Sequence, residues 1–375
     1  MELKSTANME IKKVNRSNIY RFILRNGKVS KQQILQQLQL SLPTVTQNIE
    51  ELQKEGLVAE CGSIGNTGGR RAKCFCANLK AKAAIGLDIT KNHIACVVVD
   101  LSGEVVADMR VRKPFEQNAA YYRYLGELVQ QTIDEAALPA NTILGVGIGI
   151  PALVDAENKQ VVYGEILDFT GTTVDAFAQY IPYPALLYND ANAAGFAEMW
   201  ARPDFENMFY IMLSNNIGGS ILINKQVYSG EHLRSGEVGH MTIVPSGKQC
   251  YCGQKGCVDA YCSATVLSGI TDGNLQDFFD RLQKGDKAIQ KHWDTYLNHL
   301  ALAINNLQLL FDNKIILGGY VGSYIGDYLG NLKQRVIALN PFAKDASFLH
   351  ECRYKNQAIA AGAALNYISE FLRSI

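Results

Sequence analysis

The stretch from Ser235 to Ser263, S-G-E-V-G-H-M-T-I-V-P-S-G-K-Q-C-Y-C-G-Q-K-G-C-V-D-A-Y-C-S, combines four soft metal ligands with two carboxylates. Three thiols and one imidazole are the ligand set that tetrahedral zinc prefers, and a site closed by four protein ligands is normally structural. The predicted ligands are His240, Cys250, Cys252 and Cys257. The alternative is that the cysteines are unrelated buried thiols, since free cysteine often packs as a small hydrophobe. The short C-x-C and C-x4-C spacings favour zinc, because closing short chelate loops costs little chain entropy.

The composition indicates a soluble globular protein with more than one domain. The chain has 375 residues, of which 47% are hydrophobic and 19% charged, and this length exceeds what one ordinary core accommodates. The nine cysteines are an odd number, which favours a reducing cytoplasm over a disulfide framework. The polar first ten residues are not followed by an apolar region, and no run of about 18 apolar residues occurs, so we expect neither a signal peptide nor a membrane span.

The charge of the chain is divided unevenly. Residues 1–80 contain 13 Lys or Arg against 6 Asp or Glu, whereas the remaining residues contain 23 against 30. A basic segment attached to an acidic body is typical of a nucleic-acid-binding module joined to a soluble sensor. A basic surface that is merely solvated is the alternative.

Three short helices are predicted at the N-terminus. An amphipathic pattern runs from Val14 to about Asn26, and two further helices follow the candidate N-caps Ser30 and Ser41, the last closing at Gly56. This spacing is typical of a helix-turn-helix module.

The third helix has the properties of a recognition helix. Apolar residues at positions 45, 49 and 52 must face the core. The predicted DNA-facing side chains are therefore Thr44, Thr46 and Gln47, with Asn48 nearer the edge. Two strands around a Gly-rich turn follow as a wing that carries Arg70 and Arg71, which are suited to phosphates or a narrow minor groove. A winged helix used only for protein contacts is the alternative, and the basic charge favours double-stranded DNA.

The rest of the chain reads as two similar halves of strands and helices. The first half begins near Ala83 with a β-hairpin block that turns at Ser102 and Gly103, followed by a helix over 119–136 and a buried strand over 143–150. A strand ending in Asn189 and Asp190 then leads into a helix, and a strand near Phe209 opens the second half. Asn189 and Asp190 could act simply as a helix cap.

The motif G-E-V-G-H, followed by C-x-C-G-x-x-G-C, resembles the ROK family of sugar kinases and sugar-responsive transcription factors. The resemblance covers the chain from the wing to the C-terminus and implies an α/β fold with a two-lobed body like that of actin and hexokinase. It implies that Glu237 and His240 contact sugar hydroxyls and that His240 also ligates the zinc. Asp259 stands where the family usually has Glu, and it keeps a carboxylate for the sugar with one methylene fewer. N-D-A-N-A-A-G resembles the motif whose Asp is the catalytic base of the kinases, which places Asp190 and its neighbour Asn189 in the sugar site.

The two Gly-rich turns that hold ATP phosphates in the family kinases are altered. The turn D-x-G-G-T-K aligns with Asp88-Ile89-Thr90-Lys91-Asn92-His93, and G-T-G-I-G-G aligns with Ser214-Asn215-Asn216-Ile217-Gly218-Gly219. Backbone N–H groups cradle phosphate only where no Cβ blocks the approach. We therefore expect no catalytic residues and no kinase activity.

These observations favour a cytoplasmic, sugar-responsive transcriptional regulator, most simply a repressor of carbohydrate-utilisation genes. Its expected partners are an operator DNA, a monosaccharide or sugar phosphate effector and further copies of the chain, since the resemblance implies a homodimer or homotetramer. We expect a DNA-binding domain over 1–80, a first lobe over 81–195 completed by the helix 356–375, and a second lobe over 196–355. Two alternatives are an active sugar kinase with a DNA-binding arm and a constitutive DNA-binding or scaffold protein with a vestigial pocket.

Overall fold

The computed structural model describes residues 2–64, 72–342 and 344–375. Its N-terminal part contains three helices and a three-stranded antiparallel sheet in the order β1-β3-β2, which is a winged helix-turn-helix arrangement. Its elements are α1 (Glu2–Asn26), β1 (Val29–Ser30), α2 (Lys31–Leu38), α3 (Leu42–Lys54), β2 (Val58–Ile64) and β3 (Ala72–Ala77).

The first helix is longer than predicted. The sequence placed its start near Val14, but α1 begins at Glu2. Residues 2–13 contain neither Gly nor Pro, and extending an existing helix costs little once its first turn has formed. Apolar periodicity begins only where the helix packs on a core, so it could not detect the polar first half.

Both predicted N-caps are confirmed. The Ser30 hydroxyl accepts a hydrogen bond from the backbone N–H of Gln33, and the Gln33 side chain accepts one from the Ser30 backbone, which forms a capping box. The Ser41 hydroxyl accepts from the N–H of Thr44. These two caps fix where α2 and α3 begin.

The first lobe is a five-stranded sheet in the order β10-β7-β4-β5-β6. Strands β4, β5 and β6 form an antiparallel meander. Strand β7 pairs in parallel with β4, and β10 pairs in parallel with β7. The elements of this lobe are β4 (Ala83–Ile89), β5 (His93–Asp100), β6 (Val105–Arg112), α4 (Ala119–Ala136), β7 (Ile143–Ile150), β8 (Leu153–Val154), β9 (Val161–Tyr163), α5 (Val174–Ala178), β10 (Ala185–Asn189) and α6 (Asp190–Trp200). The predicted helix over 119–136 and strand over 143–150 are confirmed.

The second lobe repeats this arrangement. Its sheet has the order β13-β12-β11-β14-β15, again an antiparallel meander followed by two parallel strands. Its elements are β11 (Met208–Leu213), β12 (Ile217–Ile223), β13 (Gln226–Val227), α7 (Asp259–Cys262), α8 (Ala264–Ser268), α9 (Leu275–Gln283), α10 (Lys287–Phe311), β14 (Lys314–Gly318), α11 (Gly319–Gly322), α12 (Leu329–Leu339) and β15 (Leu349–Glu351). The predicted duplication of strands and helices is confirmed.

The last helix, α13 (Ala358–Ser374), packs on the sheet of the first lobe and on α6. A Cβ on Gly362 would lie 1.7 Å from the carbonyl oxygen of Ala193 in α6, and a Cβ on Gly86 of β4 would lie 1.7 Å from the carbonyl oxygen of Ala360. Glycine therefore allows α13 to approach both neighbours at backbone distance.

The winged helix is fastened to the body through α13. One continuous apolar cluster joins core residues of the N-terminal module, such as Ile19 and Ile23, to Ile368 and Leu372 of α13. The Ser17 hydroxyl of α1 donates a hydrogen bond to the carbonyl oxygen of Leu372 at 2.7 Å. The last turn of α13 thus contacts the DNA-binding module directly.

Across the part of the chain that the structure describes, no helix combines the length and apolar character needed to cross a bilayer.

Candidate functional site

The four predicted metal ligands converge in the second lobe. Their ligand atoms all lie within 4.8 Å of one another. The Sγ atoms of Cys252 and Cys257 are 3.8 Å apart, and Cys250 Sγ lies 4.0 Å from His240 Nδ1. Tetrahedral zinc with Zn–S bonds near 2.3 Å and Zn–N bonds near 2.0 Å requires separations of about 3.8 Å and about 3.6 Å. The donor set and its spacing therefore fit a zinc ion.

Glycines shape the loop that carries the three thiols. Gly253 and Gly256 both have φ near +86°, a conformation that side chains disfavour. A Cβ on Gly256 would also lie 2.0 Å from the carbonyl oxygen of Val244. The loop is closed by a hydrogen bond from the Cys250 N–H to the Gln254 carbonyl at 2.8 Å.

Two carboxylates of the first lobe lie at one edge of its sheet. Asp88 pairs with Gly149 near the end of β4, and Asn189, the residue before Asp190, pairs with Ile150 at the end of β10. Burial raises the pKa of Asp88 to about 7, and Arg110 partly opposes this shift. Although Asp190 retains some surface accessibility as a residue, burial of its carboxyl group raises its pKa to about 7, with Asp88 and Glu237 adding to the shift.

Glu237 places a carboxylate of the second lobe within electrostatic range of Asp190, and the space between the lobes at Asp88, Asp190 and Glu237 is called the cleft below. It immediately precedes the short 3-10 turn that ends in His240, and its Oε2 lies 3.9 Å from His240 Nε2. Although the Glu237 side chain keeps 42% of its accessible surface, partial burial of its carboxyl group raises its pKa, while His240 and Arg234 act in the opposite direction. The influence of Glu237 on Asp190 shows that carboxyl groups of the two lobes lie within electrostatic range of each other.

Asn189 forms the helix cap that the sequence offered as an alternative role. Its Oδ1 accepts a hydrogen bond from the N–H of Asn192 at 3.0 Å, and its Nδ2 donates to the carbonyl oxygen of Ala152 at 3.1 Å. Both polar atoms of the side chain are thus engaged within the first lobe, so a sugar would have to share them.

Asp259 is a buried carboxylate that is already hydrogen-bonded to the backbone. The residue is 6% exposed, and its Oδ2 accepts a hydrogen bond from the N–H of Ile217 at 2.7 Å. This bond ties the start of α7 to the start of β12, and it leaves the second carboxylate oxygen for other partners.

Sequence reasoning missed several residues of the cleft, including Asp88, Arg234 and Tyr251. It also missed Tyr163, at the end of β9, whose hydroxyl lies within electrostatic range of Glu165, Glu237 and Arg234. The only available signal was the position of Asp88 and Tyr251 inside the aligned motifs. Tyr163 and Glu237 come within electrostatic range only because the two lobes face each other.

The first altered phosphate turn is closed by a side chain. The Thr90 hydroxyl exchanges hydrogen bonds with the backbone N–H and carbonyl oxygen of His93, both at 3.0 Å. In the second turn, Asn215 and Asn216 present side chains where the kinase motif has Thr and Gly. Neither turn offers the bare backbone that a phosphate cradle requires.

The recognition helix α3 presents part of the predicted DNA-facing set. Thr44 and Thr46 are half-buried and Gln47 is exposed. The Thr46 hydroxyl accepts a hydrogen bond from the Lys31 ammonium at 3.3 Å, which adds a cation that the sequence reading had not singled out. Arg70 and Arg71 lie outside the described residues.

The placement of Asn48 on the DNA-facing surface was wrong. Asn48 is 2% exposed, and its Nδ2 donates a hydrogen bond to the carbonyl oxygen of Thr44 at 2.7 Å. Position 48 lies three residues after Val45 and belongs to the same buried stripe. A stripe drawn only through positions 45, 49 and 52 was too narrow.

Comparison with known proteins matches the N-terminal module and the body to two different family models. The model of the ROK family matches residues 84–368, and a winged helix-turn-helix DNA-binding model matches residues 14–59. The xylose repressor of Bacillus spizizenii is 27% identical over 315 residues, which cover 82% of each chain.

Solved structures place both branches of the family on this fold. A ROK family transcriptional regulator, described as a homologue of the E. coli MLC protein, superposes with a TM-score of 0.75 at 23% identity over 97% of both chains. A ROK hexokinase from Thermus thermophilus superposes with a TM-score of 0.61 at 25% identity, covering 77% of this chain and 99% of its own. The family match extends over well more than half of the chain, and this protein therefore belongs to the ROK family.

Proposed function

We propose that this protein is a sequence-specific transcriptional repressor whose operator affinity falls when a monosaccharide or sugar phosphate binds between its two lobes. The observation that carries the proposal is the direct contact between a winged helix-turn-helix module and the last helix of a ROK body. The similarity to a xylose repressor over 82% of both chains supports it. The side chains in both phosphate turns weigh against the kinase alternative.

The proposed effector site lies between the lobes. The residues that would bind the sugar hydroxyls are Asn189, Asp190, Glu237, His240 and Asp259. Carboxylates accept hydrogen bonds from hydroxyl groups, and in a partly dry cleft such bonds discriminate strongly between related sugars. Without phosphate-binding turns, Asp190 would bind a hydroxyl without activating it for transfer.

A zinc ion held by His240, Cys250, Cys252 and Cys257 would have a structural role. It would stabilise the loop between Cys250 and Cys257 and fix the orientation of the His240 ring toward the cleft. The metal site and the effector site share this histidine, so we expect zinc loss to weaken the sugar response.

The fold offers a continuous path from the cleft to the DNA. Helix α6 begins at Asp190, and α13 packs against it at Ala193 and Gly362. The far end of α13 holds α1 through Ser17. Helix α1 in turn holds α3 through ion pairs from Lys12 to Glu51 and from Arg16 to Glu55. Effector binding that favours one lobe arrangement would thereby favour one orientation of the recognition helix.

The DNA contacts would come from Thr44, Thr46 and Gln47 on α3 and from Arg70 and Arg71 of the wing. One such module reads one half-site, so a two-fold dimer would bind a palindromic operator. We place the protein in the cytoplasm and its domains at 1–80, at 81–195 with 356–375, and at 196–355.

The test is fluorescence anisotropy of the zinc-loaded protein on its own upstream DNA, titrated without ATP. The panel contains D-xylose, D-glucose, N-acetylglucosamine and their phosphates. Release by one sugar is the expected result. DNA binding that no sugar changes would contradict the effector site, and absence of DNA binding would contradict the repressor.

A further inference from the structure

The two ring nitrogens of His240 face different partners. Nδ1 lies 4.0 Å from Cys250 Sγ, on the side of the metal ligands. Nε2 lies 3.2 Å from the Tyr251 hydroxyl and 3.9 Å from Glu237 Oε2, on the side of the cleft. The nitrogen available to a sugar is therefore already in contact with a protein hydroxyl.

The metal cluster determines what this nitrogen can do. An imidazole that ligates zinc through Nδ1 carries its proton on Nε2 and donates it to a nearby acceptor. The Tyr251 oxygen is at hydrogen-bond distance, whereas the Glu237 oxygen is too far for a good bond. A sugar hydroxyl that accepted this proton would have to take the place of Tyr251.

Tyr251 is free enough to be displaced. The residue is 58% exposed, while its backbone is held between two predicted metal ligands, Cys250 and Cys252. The Tyr251 and His240 rings meet edge to face, with centroids 5.3 Å apart at 65°. By contrast, Asp259 is 6% exposed and bound to the Ile217 backbone. Of these two side chains, Tyr251 is therefore the one that an incoming ligand can displace.

We propose that Tyr251 sets the affinity of the effector site, because its hydroxyl occupies His240 Nε2 and an effector hydroxyl must displace it before binding there. This inference rests on the proposed function, since it concerns the same sugar site. A sugar with a hydroxyl at this position recovers the hydrogen bond that Tyr251 gives up. A sugar without that hydroxyl loses the same tyrosine contact and recovers nothing, so Tyr251 lowers the affinity of every ligand that displaces it, while discrimination between sugars rests on His240.

The test uses Tyr251→Phe in the full zinc-loaded chain, which removes the hydroxyl and keeps the ring. Isothermal titration calorimetry with D-xylose, D-glucose, N-acetylglucosamine and N-acetylglucosamine 6-phosphate measures Kd for each protein. The effector should bind the variant about 3- to 10-fold more tightly, because it no longer competes with a hydrogen bond of ordinary strength. Tyr180→Phe is the matched control, since Tyr180 is also exposed and packs instead near Gly126 of α4. Unchanged or weaker effector binding by Tyr251→Phe, at equal zinc content, would overturn the proposal.

A second measurement does not depend on any sugar. In the ¹H–¹⁵N spectrum of histidine-labelled protein, the Nε2–H resonance of the zinc-bound ring should shift and exchange faster with water in Tyr251→Phe. An unchanged resonance overturns the tyrosine–histidine contact even if no sugar binds. Failure of every sugar to bind either protein, with the resonance shifted, rejects the proposed effector site and leaves the contact established.

Discussion

Single carboxyl groups define the chemistry of the cleft. Asp88 and Asp190 each have a pKa raised to about 7 by burial, and the Glu237 pKa is raised by the same cause. Such groups cost folding free energy when they are ionised, and they cluster where a protein binds polar ligands. Burial of these carboxyl groups therefore lowers the stability of the fold when they are ionised, and it leaves hydrogen-bonding groups available to a polar ligand.

The carboxyl group of Glu237 is expected to be necessary for the sugar response and dispensable for DNA binding. Glu237→Gln keeps the shape of the side chain and removes the charge-assisted acceptor, whose loss costs about 1.5–3 kcal/mol. We expect sugar affinity to fall roughly 10- to 100-fold, with operator affinity unchanged, as measured by calorimetry and anisotropy. Glu231→Gln, at an exposed residue of the preceding loop, is the control. Loss of DNA binding together with sugar binding would place Glu237 in a structural role.

Asp190 gives a stability effect whose sign depends on pH. The native pKa of about 7 lies above the unfolded value of about 3.9, so the native state keeps a proton that the unfolded chain loses between these values. Native stability therefore falls as pH rises from about 4 to above 7. Asp190→Asn removes this loss, so its melting temperature relative to wild type should increase between pH 5 and pH 8. The exposed Asp204→Asn control should show no such trend, and a flat difference for Asp190→Asn would contradict the raised pKa.

At the scale of elements, two close backbone contacts organise the body. Helix α13 meets α6 at Gly362, and the loop that carries the thiols turns at Gly256 against Val244. Both contacts need a residue without Cβ. The first lies between the helices that connect Asp190 with the N-terminal module, and the second lies in the loop that carries the metal ligands.

Gly362→Ala should destabilise the protein although alanine favours helices. The added Cβ would lie 1.7 Å from the Ala193 carbonyl oxygen, so α6 and α13 must separate, and overpacking of this kind costs about 1–3 kcal/mol. Gly330→Ala in α12 is the matched control, because no atom lies within 4 Å of its Cβ position. There, alanine should stabilise the protein by roughly 0.5–1 kcal/mol. Urea unfolding measures both, and equal signs for the two variants would refute the packing argument.

Cys252→Ser tests the metal cluster with little change in packing, because Cys252 is the exposed member of the ligand set. We expect bound zinc, measured by atomic emission, to fall to near zero and the sugar response to be lost. The operator affinity of the zinc-free variant should remain within about three-fold, since the apolar cluster that holds the helix-turn-helix contains none of the metal ligands. Cys61→Ser, outside the cluster, should keep its zinc. Full zinc content in Cys252→Ser would exclude Cys252 as a ligand.

At the scale of the whole molecule, the C-terminal helix connects parts that the chain keeps far apart. Ser17 and Leu372 are separated by 355 positions yet are joined by one hydrogen bond. On one side α13 contacts the helix that starts at the cleft, and on the other it contacts the helix that holds α3. This packing is a physical connection through which the proposed effector site and the recognition helix would influence each other's affinity.

Ser17→Ala should uncouple the two sites while leaving each of them intact. Sugar affinity and operator affinity should each stay within about five-fold, since one partly buried hydrogen bond contributes about 1 kcal/mol. The decrease in operator affinity caused by saturating sugar should become several-fold smaller, as measured by anisotropy. Ser374→Ala is the control, because that hydroxyl only bonds to Phe371 within the same helix. A full sugar response in Ser17→Ala would exclude this contact from the coupling.

The sequence by itself determined the features that depend on near neighbours in the chain. The four metal ligands lie within 18 residues, and the caps Ser30 and Ser41 act on residues three positions away. The duplicated halves were readable because strand and helix periodicity is also local. The resemblance of the G-E-V-G-H and C-x-C-G-x-x-G-C motifs added the family and its branch.

Only the tertiary structure decided which distant groups meet. Sheet order brings Asp88 and Asp190 to one edge, the facing of the lobes adds Glu237, and helix packing joins Ser17 to Leu372. The structure also buried Asn48, because the width of a helix's buried face depends on what packs against it. The contact of the Tyr251 hydroxyl with His240 Nε2 also exists only in the folded chain. Such contacts depend on the global arrangement of strands and helices, which local periodicity and spacing do not encode.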